Sequence, residues 1–334
     1  LDRPRALNAL TLDMVRAIDS ALAGWERDEA VGLVLIDGAG ERGFCAGGDI
    51  RALYDAALVG DASVSQAFFR AEYRLNARIA RYRKPYVAFM DGIVMGGGIG
   101  LSSHGSHRVV TERSRLAMPE VGIGFMPDVG ATWLLGRAPG GFGLHAALTG
   151  GELGPADAVL CGLADICVAS DRLAELAQAL AGCGDGDAIR SCLAGFEITP
   201  PAGVLGQGRA WMADCYAGER MEDIVEALAT HDAPAAREAA AQIGRKSPTS
   251  LKVTLRALRE APALGGLEAC LEREYRLALA LLARPDFREG VRAAVVDKDR
   301  KPCWHPALLA EVTPPMVDAI LVAPGAGGLG LAIA

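Results

Sequence analysis

Phe44-Cys45-Ala46-Gly47-Gly48-Asp49-Ile50 sets a glycine-rich turn ahead of a helical start at Ile50, and Met95-Gly96-Gly97-Gly98 sets a second one further along. Outward from these turns, short strand-like runs alternate with helical ones. Thr11 is a helix N-cap for a segment in which Met14, Ile18, Ala21, Leu22 and Trp25 recur at helical spacing, and residues 31–36 form a short run suited to a buried strand. A long helix is predicted over 63–82, with Val64, Ala67, Phe68, Ala71, Leu75 and Ile79 on one stripe, ended by Lys84-Pro85. Residues 86–89 read as a strand, the Gly96-Gly97-Gly98 turn opens another helix, and 108–110 read as a further strand. From about residue 184 the pattern becomes helical, with segments at 221–229, 235–243, 249–259 and 267–282. The alternation predicts an α/β core over 1–184 and a helical C-terminal region over 185–334. A doubly wound nucleotide fold is the competing architecture. Against it, no GxGxxG follows the first strand and no GxxxxGK[ST] is present.

The bulk composition narrows the function classes. With 334 residues, 51% hydrophobic and 22% charged, the chain can bury a full core, which excludes wholesale disorder. A net charge of −7 without a basic tract argues against a nucleic-acid binder. The eight cysteines form no CxxC pair, which suits reduced thiols in a cytoplasmic compartment and no metal site. The apolar stretches from Tyr86 and from Leu321 are interrupted by Asp91, glycines and a proline, so no membrane span is expected. The chain opens at Leu1-Asp2-Arg3-Pro4 with no signal-peptide layout, which leaves a preceding targeting segment open.

Two carboxylates, Glu120 and Asp128, lie eight residues apart in Met118-Pro119-Glu120-Val121-Gly122-Ile123-Gly124-Phe125-Met126-Pro127-Asp128-Val129-Gly130. Beside two glycine turns they suggest an acyl-transfer site, in which backbone N–H groups face a carbonyl oxygen gaining negative charge while the carboxylates handle water and protons. Separately, each motif has a plainer reading. Glycine clusters are ordinary turns, Pro119-Glu120 is a helix start, Asp128 is a turn residue, Glu72 is a solvated helix residue and Asp49 is a helix cap. Conjunction raises them above that. His104 and His107 have no third ligand and read as structural, and Cys45, without a partner base, reads as a packed thiol.

At these motifs the sequence resembles the crotonase (enoyl-CoA hydratase/isomerase) superfamily, and within it the 3-hydroxyisobutyryl-CoA hydrolases. The superfamily signals are Arg3-Pro4-Arg5-Ala6-Leu7-Asn8-Ala9-Leu10, the two glycine turns, Met118-Pro119-Glu120 and Gly162-Leu163-Ala164-Asp165. Phe68-Phe69-Arg70-Ala71-Glu72-Tyr73, Pro127-Asp128-Val129-Gly130, Ser247 to Thr254, and Phe287 to Arg292 with Asp297-Lys298-Asp299 point to the hydrolase branch.

The resemblance implies a crotonase-like spiral of repeated ββα units with a helical C-terminal region. It also implies backbone oxyanion donors at Gly48 and Gly97, a catalytic Glu120, a hydrolase-specific Asp128 and a substrate-contacting Glu72. Ala71 stands where the hydrolases are expected to carry a second glutamate. Coenzyme A binding is implied for Arg5, Ala6, Leu7, Ala46, Asp49, Ile50 and Arg51, with the arginines on its phosphates. Hydratases carry a second glutamate where this chain has Gly100, so water addition by a paired carboxylate is disfavoured.

The implied activity is hydrolysis of a short 3-hydroxyacyl-CoA thioester, 3-hydroxyisobutyryl-CoA of valine catabolism foremost. Glu120 acts there either as general base toward water or as the attacking nucleophile. Coenzyme A belongs to the substrate, so no separate cofactor is expected. An enoyl-CoA hydratase or isomerase is the second reading, and a non-catalytic acyl-CoA-binding subunit the third. Homo-oligomers occur in the superfamily and remain open for this chain.

Overall fold

In the computed structural model, which describes residues 1–323 and 327–331, seven short strands form two separate parallel sheets. β1 (Val34–Ile36), β3 (Tyr86–Met90), β5 (His107–Val110) and β7 (Ile166–Cys167) make one sheet in that order, while β2 (Gly43–Cys45), β4 (Ile93–Met95) and β6 (Arg115–Ala117) make the other. Consecutive strands therefore enter different sheets. Helices follow each pair, giving the ββα repeat: α1 (Leu12–Trp25) precedes β1, α2 (Ile50–Leu58) and α3 (Ala62–Ala80) follow β2, and α4 (Gly97–Ser102) follows β4.

Beyond β6 come α5 (Ala131–Gly136), α6 (Phe142–Thr149) and α7 (Pro155–Leu160), and beyond β7 come α8 (Leu173–Ala181) and α9 (Gly186–Phe196). The remainder is helical: α10 (Arg209–Cys215), α11 (Met221–Thr230), α12 (Pro234–Ile243), α13 (Pro248–Glu260), α14 (Leu267–Leu282), α15 (Pro285–Val291) and α16 (Pro314–Leu321). Among the described residues, no helix is long and apolar enough to cross a membrane. The sequence tail from Leu321 lies partly outside the described residues.

Local chemistry accounts for many of the boundaries. Thr11 Oγ1 accepts from Met14 N at 3.2 Å to start α1, Asp61 accepts from Ser63 N at the start of α3, and Ser247 accepts from Ser250 N at the start of α13. α7, α12, α13, α15 and α16 all open with proline, whose missing N–H costs nothing in a first turn. Burial on β3 alternates between two cores. Tyr86, Ala88 and Met90 face the large central core, while Val87 and Phe89 join Val109 against Leu176 and Leu180 of α8 and Ile189, Leu193 and Phe196 of α9. Thus α8 and α9, on either side of residue 184, cover the same sheet face.

Two expectations change. The first strand shortens to Val34–Ile36, because Val31 N donates to Asp28 O and closes a turn instead of joining the sheet. None of β2, β4, β6 or β7 was located from the sequence, since each is only two or three residues long, and glycine stands in or beside β2 and β4.

α15 packs on α2 and on the 3₁₀ turn Glu120–Ile123. A Cβ on Gly290 would sit 2.5 Å from the Cα of Ile123, and backbone cannot rotate away as a side chain can. Gly290→Ala is expected to lower stability by about 2–3 kcal/mol, measured by urea denaturation; an unchanged midpoint would show that the contact is not tight.

Candidate active site

The C-terminal ends of β2, β4 and β6 lie side by side, and the three segments leaving them build one cavity. Cys45 pairs with Val94, and Met95 pairs with Ala117. The chain therefore exits as Ala46-Gly47-Gly48, Gly96-Gly97 and Met118-Pro119-Glu120 at neighbouring positions. Gly47 has φ +96° and Gly96 φ +48°, conformations that L side chains resist. Space is as restrictive as torsion. A Cβ at Gly96 would stand 2.9 Å from Glu120 Oε1, and one at Gly97 would fall on Glu72 Oε1.

Leu10 bridges Gly48 in parallel fashion, with Leu10 N donating to Gly47 O at 2.8 Å and Asp49 N donating to Leu10 O at 2.9 Å. That pattern turns the Gly48 N–H away from Leu10 and toward the second glycine turn. Gly97 opens α4, so its N–H has no acceptor within the helix. Among the described residues, neither N–H donates to a protein acceptor. Two adjacent, unengaged donors are the arrangement that stabilises an oxyanion.

A cavity of about 100 Å³ lies against them, walled by Ala46, Ile50, Leu53, Phe68, Phe69, Met95, Ile123 and Phe125 and entered by the carboxylates of Glu72, Glu120 and Asp128. All three carboxylates are buried. Glu72 Oε1 and Glu120 Oε2 have no hydrogen-bond partner within the described protein, whereas Asp128 Oδ2 accepts from Tyr73 O–H at 2.6 Å. Burial, then the charge of Asp128, drives the carboxyls of Glu72 and Glu120 well above the usual range. Burial likewise pushes Asp128 up to about 7, opposed by the Tyr73 hydrogen bond. Such clusters hold protons that can be exchanged near neutral pH.

Several supports were not foreseen from sequence. Tyr73 holds Asp128; His104 Nε2–H donates to Val129 O at 2.7 Å; Glu274 accepts from Gly130 N and Thr132 N at 2.6 and 2.9 Å. Burial lowers the His104 imidazole to about 4, which favours the neutral ring that donates to Val129 O. A signal for Glu274 did exist: it is a charge on the apolar stripe of Cys270, Leu271, Leu277, Ala278 and Leu281. Phe69 stacks on Phe125 at 5.6 Å, and Phe125 meets Phe287 at 6.0 Å, which ties the cavity wall to α15. Ser247 N donates to Val121 O, and Ser247 O–H donates to Asp286 at 2.6 Å. The C-terminal motifs therefore buttress the turn that carries Glu120.

The remaining sequence-derived residues are placed as follows. Ala46 and Ile50 line the cavity, and Ala46 N donates to Leu7 O at 3.0 Å, which brings Ala6-Leu7 beside it. Asp49 occupies the N-cap of α2, yet its carboxylate makes no cap bond and pairs with Arg3 at 3.2 Å. Arg51 pairs with Asp55 on the surface of α2, and Arg5 is exposed. Cys45 is buried and its thiol is pushed up to about 12, so it is a packed residue.

Residues 1–321 match the family model described as enoyl-CoA hydratase/isomerase. The chain belongs to the enoyl-CoA hydratase/isomerase family. Within that family it is 42% identical over 338 residues to 3-hydroxyisobutyryl-CoA hydrolase, mitochondrial, of Xenopus laevis, covering 99% of this chain and 87% of that protein. The Homo sapiens protein of the same name is 42% identical over 320 residues, covering 94% and 82%. Among solved structures, a carnitinyl-CoA dehydratase from Mycobacterium thermoresistibile superposes with a TM-score of 0.93 at 50% identity, covering 98% of this chain and 94% of that one. An enoyl-CoA hydratase from Rhodobacter sphaeroides 2.4.1 superposes at 0.88 with 43% identity, covering 96% and 93%. Family membership sets the fold and the acyl-CoA chemistry; the activities named for these relatives differ.

Carboxyls whose affinity for protons rises on folding make the native state bind more protons than the unfolded chain above about pH 4. Their contribution to stability therefore falls as pH rises through the neutral range. Glu72→Gln is expected to stabilise the protein by about 1–2 kcal/mol at pH 8, with the gain shrinking toward pH 4. Thermal melts across that range check it, and a destabilised Glu72→Gln at pH 8 contradicts the electrostatic account.

Proposed function

We propose that this chain hydrolyses the thioester of a short 3-hydroxyacyl-CoA, with 3-hydroxyisobutyryl-CoA, an intermediate of valine catabolism, as the leading substrate. The observation that carries this reading is the cavity in which Glu72, Glu120 and Asp128 converge beside the unengaged N–H groups of Gly48 and Gly97. The thioester carbonyl oxygen is placed between those two donors. As water adds, charge develops on that oxygen and the donors stabilise it; losing one such donor typically costs about 10²–10³ in rate.

Glu120, adjacent to the Gly96 turn with Oε2 unpartnered, either takes the proton of the attacking water or attacks the carbonyl itself to form an anhydride that water opens. Both routes release coenzyme A and the free 3-hydroxy acid. Asp128, fixed by Tyr73, is assigned to the substrate hydroxyl and proton transfer, and Glu72 to substrate binding. The Ala6-Leu7 and Ala46 to Arg51 segments are assigned to coenzyme A, with Arg5 and Arg51 on its phosphates. Such remote contacts position the acyl group.

Water addition to an enoyl-CoA by a pair of carboxylates is disfavoured by space as well as by sequence. A side chain at Gly100 would meet the Val129 Cβ at 2.7 Å and Asn76 Nδ2 at 2.8 Å. The carboxylates come instead from α3 and the 128–130 turn. All eight cysteines are free thiols, which supports a reducing compartment such as the cytoplasm; the vertebrate relatives are named as mitochondrial.

Thiol release from 3-hydroxyisobutyryl-CoA, run beside crotonyl-CoA hydration, tests the reading. Wild type is expected to release thiol, and Glu120→Gln and Asp128→Asn to lose at least about 10²-fold in kcat/KM. Consumption of crotonyl-CoA without thiol release would sink the hydrolase reading in favour of double-bond chemistry.

Glu120 must be ionised in either route, and burial raises its proton affinity. The pH profile of kcat/KM should accordingly rise through the neutral range. A rate that falls from pH 6 to pH 8 would remove Glu120 from the role of base or nucleophile.

A further inference from the structure

We propose that Glu274 is a positioning residue for this reaction, holding the 128–132 turn in the conformation that aims Asp128 into the cavity. This deepens the hydrolase reading and rests on it. The turn contains two successive left-handed residues, Val129 at φ +54° and Gly130 at φ +82°. Glycine adopts that region freely, but a β-branched residue enters it only when its surroundings impose it.

The surroundings are on α14 and at the end of α4. Glu274 Oε2 accepts from Gly130 N at 2.6 Å; Oε1 accepts from Thr132 N at 2.9 Å and from the Thr132 hydroxyl. His104 Nε2–H holds the carbonyl just before Gly130, Val129 O, at 2.7 Å. Asp128 closes the turn by accepting from Ala131 N at 2.8 Å, and its side chain leaves toward Tyr73 and the cavity.

Both oxygens of Glu274 are used as acceptors for backbone N–H groups. An amide cannot replace the carboxylate, because its NH₂ would face an N–H donor. Among the described residues no cation forms an ion pair with it: the neighbouring Arg273, which attracts it electrostatically, directs its hydrogen bonds to Glu260 and to Ala257 O. Asp128, Tyr73, Cys270 and Arg273 are the titratable groups that face it. A buried carboxylate with no ion-pair partner is an expensive way to fill space, and an apolar residue would pack α14 at lower cost. What the carboxylate adds is a two-point grip on the segment that presents Asp128.

The test uses the full-length chain with Glu274→Gln, which preserves volume, and Thr132→Val, which removes one hydroxyl and leaves both backbone amides. Three readouts are taken: hydrogen exchange of the 128–132 segment, kcat and KM on 3-hydroxyisobutyryl-CoA, and the Kd for free coenzyme A. Expected for Glu274→Gln are lost protection at 128–132, a fall in kcat of about 10²-fold and a coenzyme A Kd within threefold of wild type. Thr132→Val should show the same split with a fall of about tenfold, and it carries the test if Glu274→Gln folds poorly. An unchanged kcat, or coenzyme A affinity lost in step with kcat, overturns the proposal, since the second outcome marks a general structural role. Should wild type release no thiol, the hydrolase reading fails first. The exchange measurement then decides alone, and unchanged protection at 128–132 in Glu274→Gln rejects the grip.

Discussion

Parallel pairing of three short strands governs the chemistry of this protein. β2, β4 and β6 contribute three residues each, and their register puts Cys45 opposite Val94 and Met95 opposite Ala117. Neighbouring strands lie about 4.8 Å apart, so chain segments that leave them in the same direction stay within reach of one another. The first exit supplies the Gly48 N–H, the second the Gly97 N–H and the third Glu120. Glycine at 47 and 96 lets the exits fold inward, and its lack of a side chain at 96 and 97 leaves room for the carboxylates of Glu120 and Glu72. A site assembled this way depends on ladder geometry, which is stiff, more than on loop conformation.

Bringing three carboxylates into one apolar cavity works against folding, because each must lose its hydration and face the others. The molecule offsets this through neutral donors and packing. Tyr73 bonds Asp128, and proton affinities rise far enough that the cluster need not carry its full charge. Aromatic contacts from Phe69 through Phe125 to Phe287 close one wall. The helices after residue 184 serve this purpose directly: α13 and α15 grip the Glu120 turn, and α14 backs both α3 and the Asp128 turn.

Legibility differed between the two sheets for a physical reason. β3 is buried on both faces, so its hydrophobic run stands out, while β1 and β5 are only partly buried but keep short apolar runs. β2, β4, β6 and β7 are too short to display a period of two, and glycine at 43 and 92 interrupts the pattern around β2 and β4. Only their turns could be recognised. Glu120 and Asp128 were readable because they stand beside those turns in a family-like motif, whereas Tyr73, His104 and Glu274 act through partners that are distant in the chain. Glu274 lies 142 residues from Thr132, the residue it bonds. Asp49 shows the converse: its position before α2 suggested a cap, but the carboxylate bonds Arg3, which the fold brings 46 residues across the chain.

By itself the sequence determined the helices with clear stripes and caps, strands β1, β3 and β5, the family, and the residue types available for acyl-CoA chemistry. These are local or motif-borne properties, encoded in spacing of a few residues. Tertiary structure alone decided that Gly48 and Gly97 present their N–H groups together, that Glu72, Glu120 and Asp128 share one cavity, and that Val129 is held in a left-handed turn. Each of these is a relation between segments tens to more than a hundred residues apart. Strand register and helix packing set such distances, and no local pattern records them.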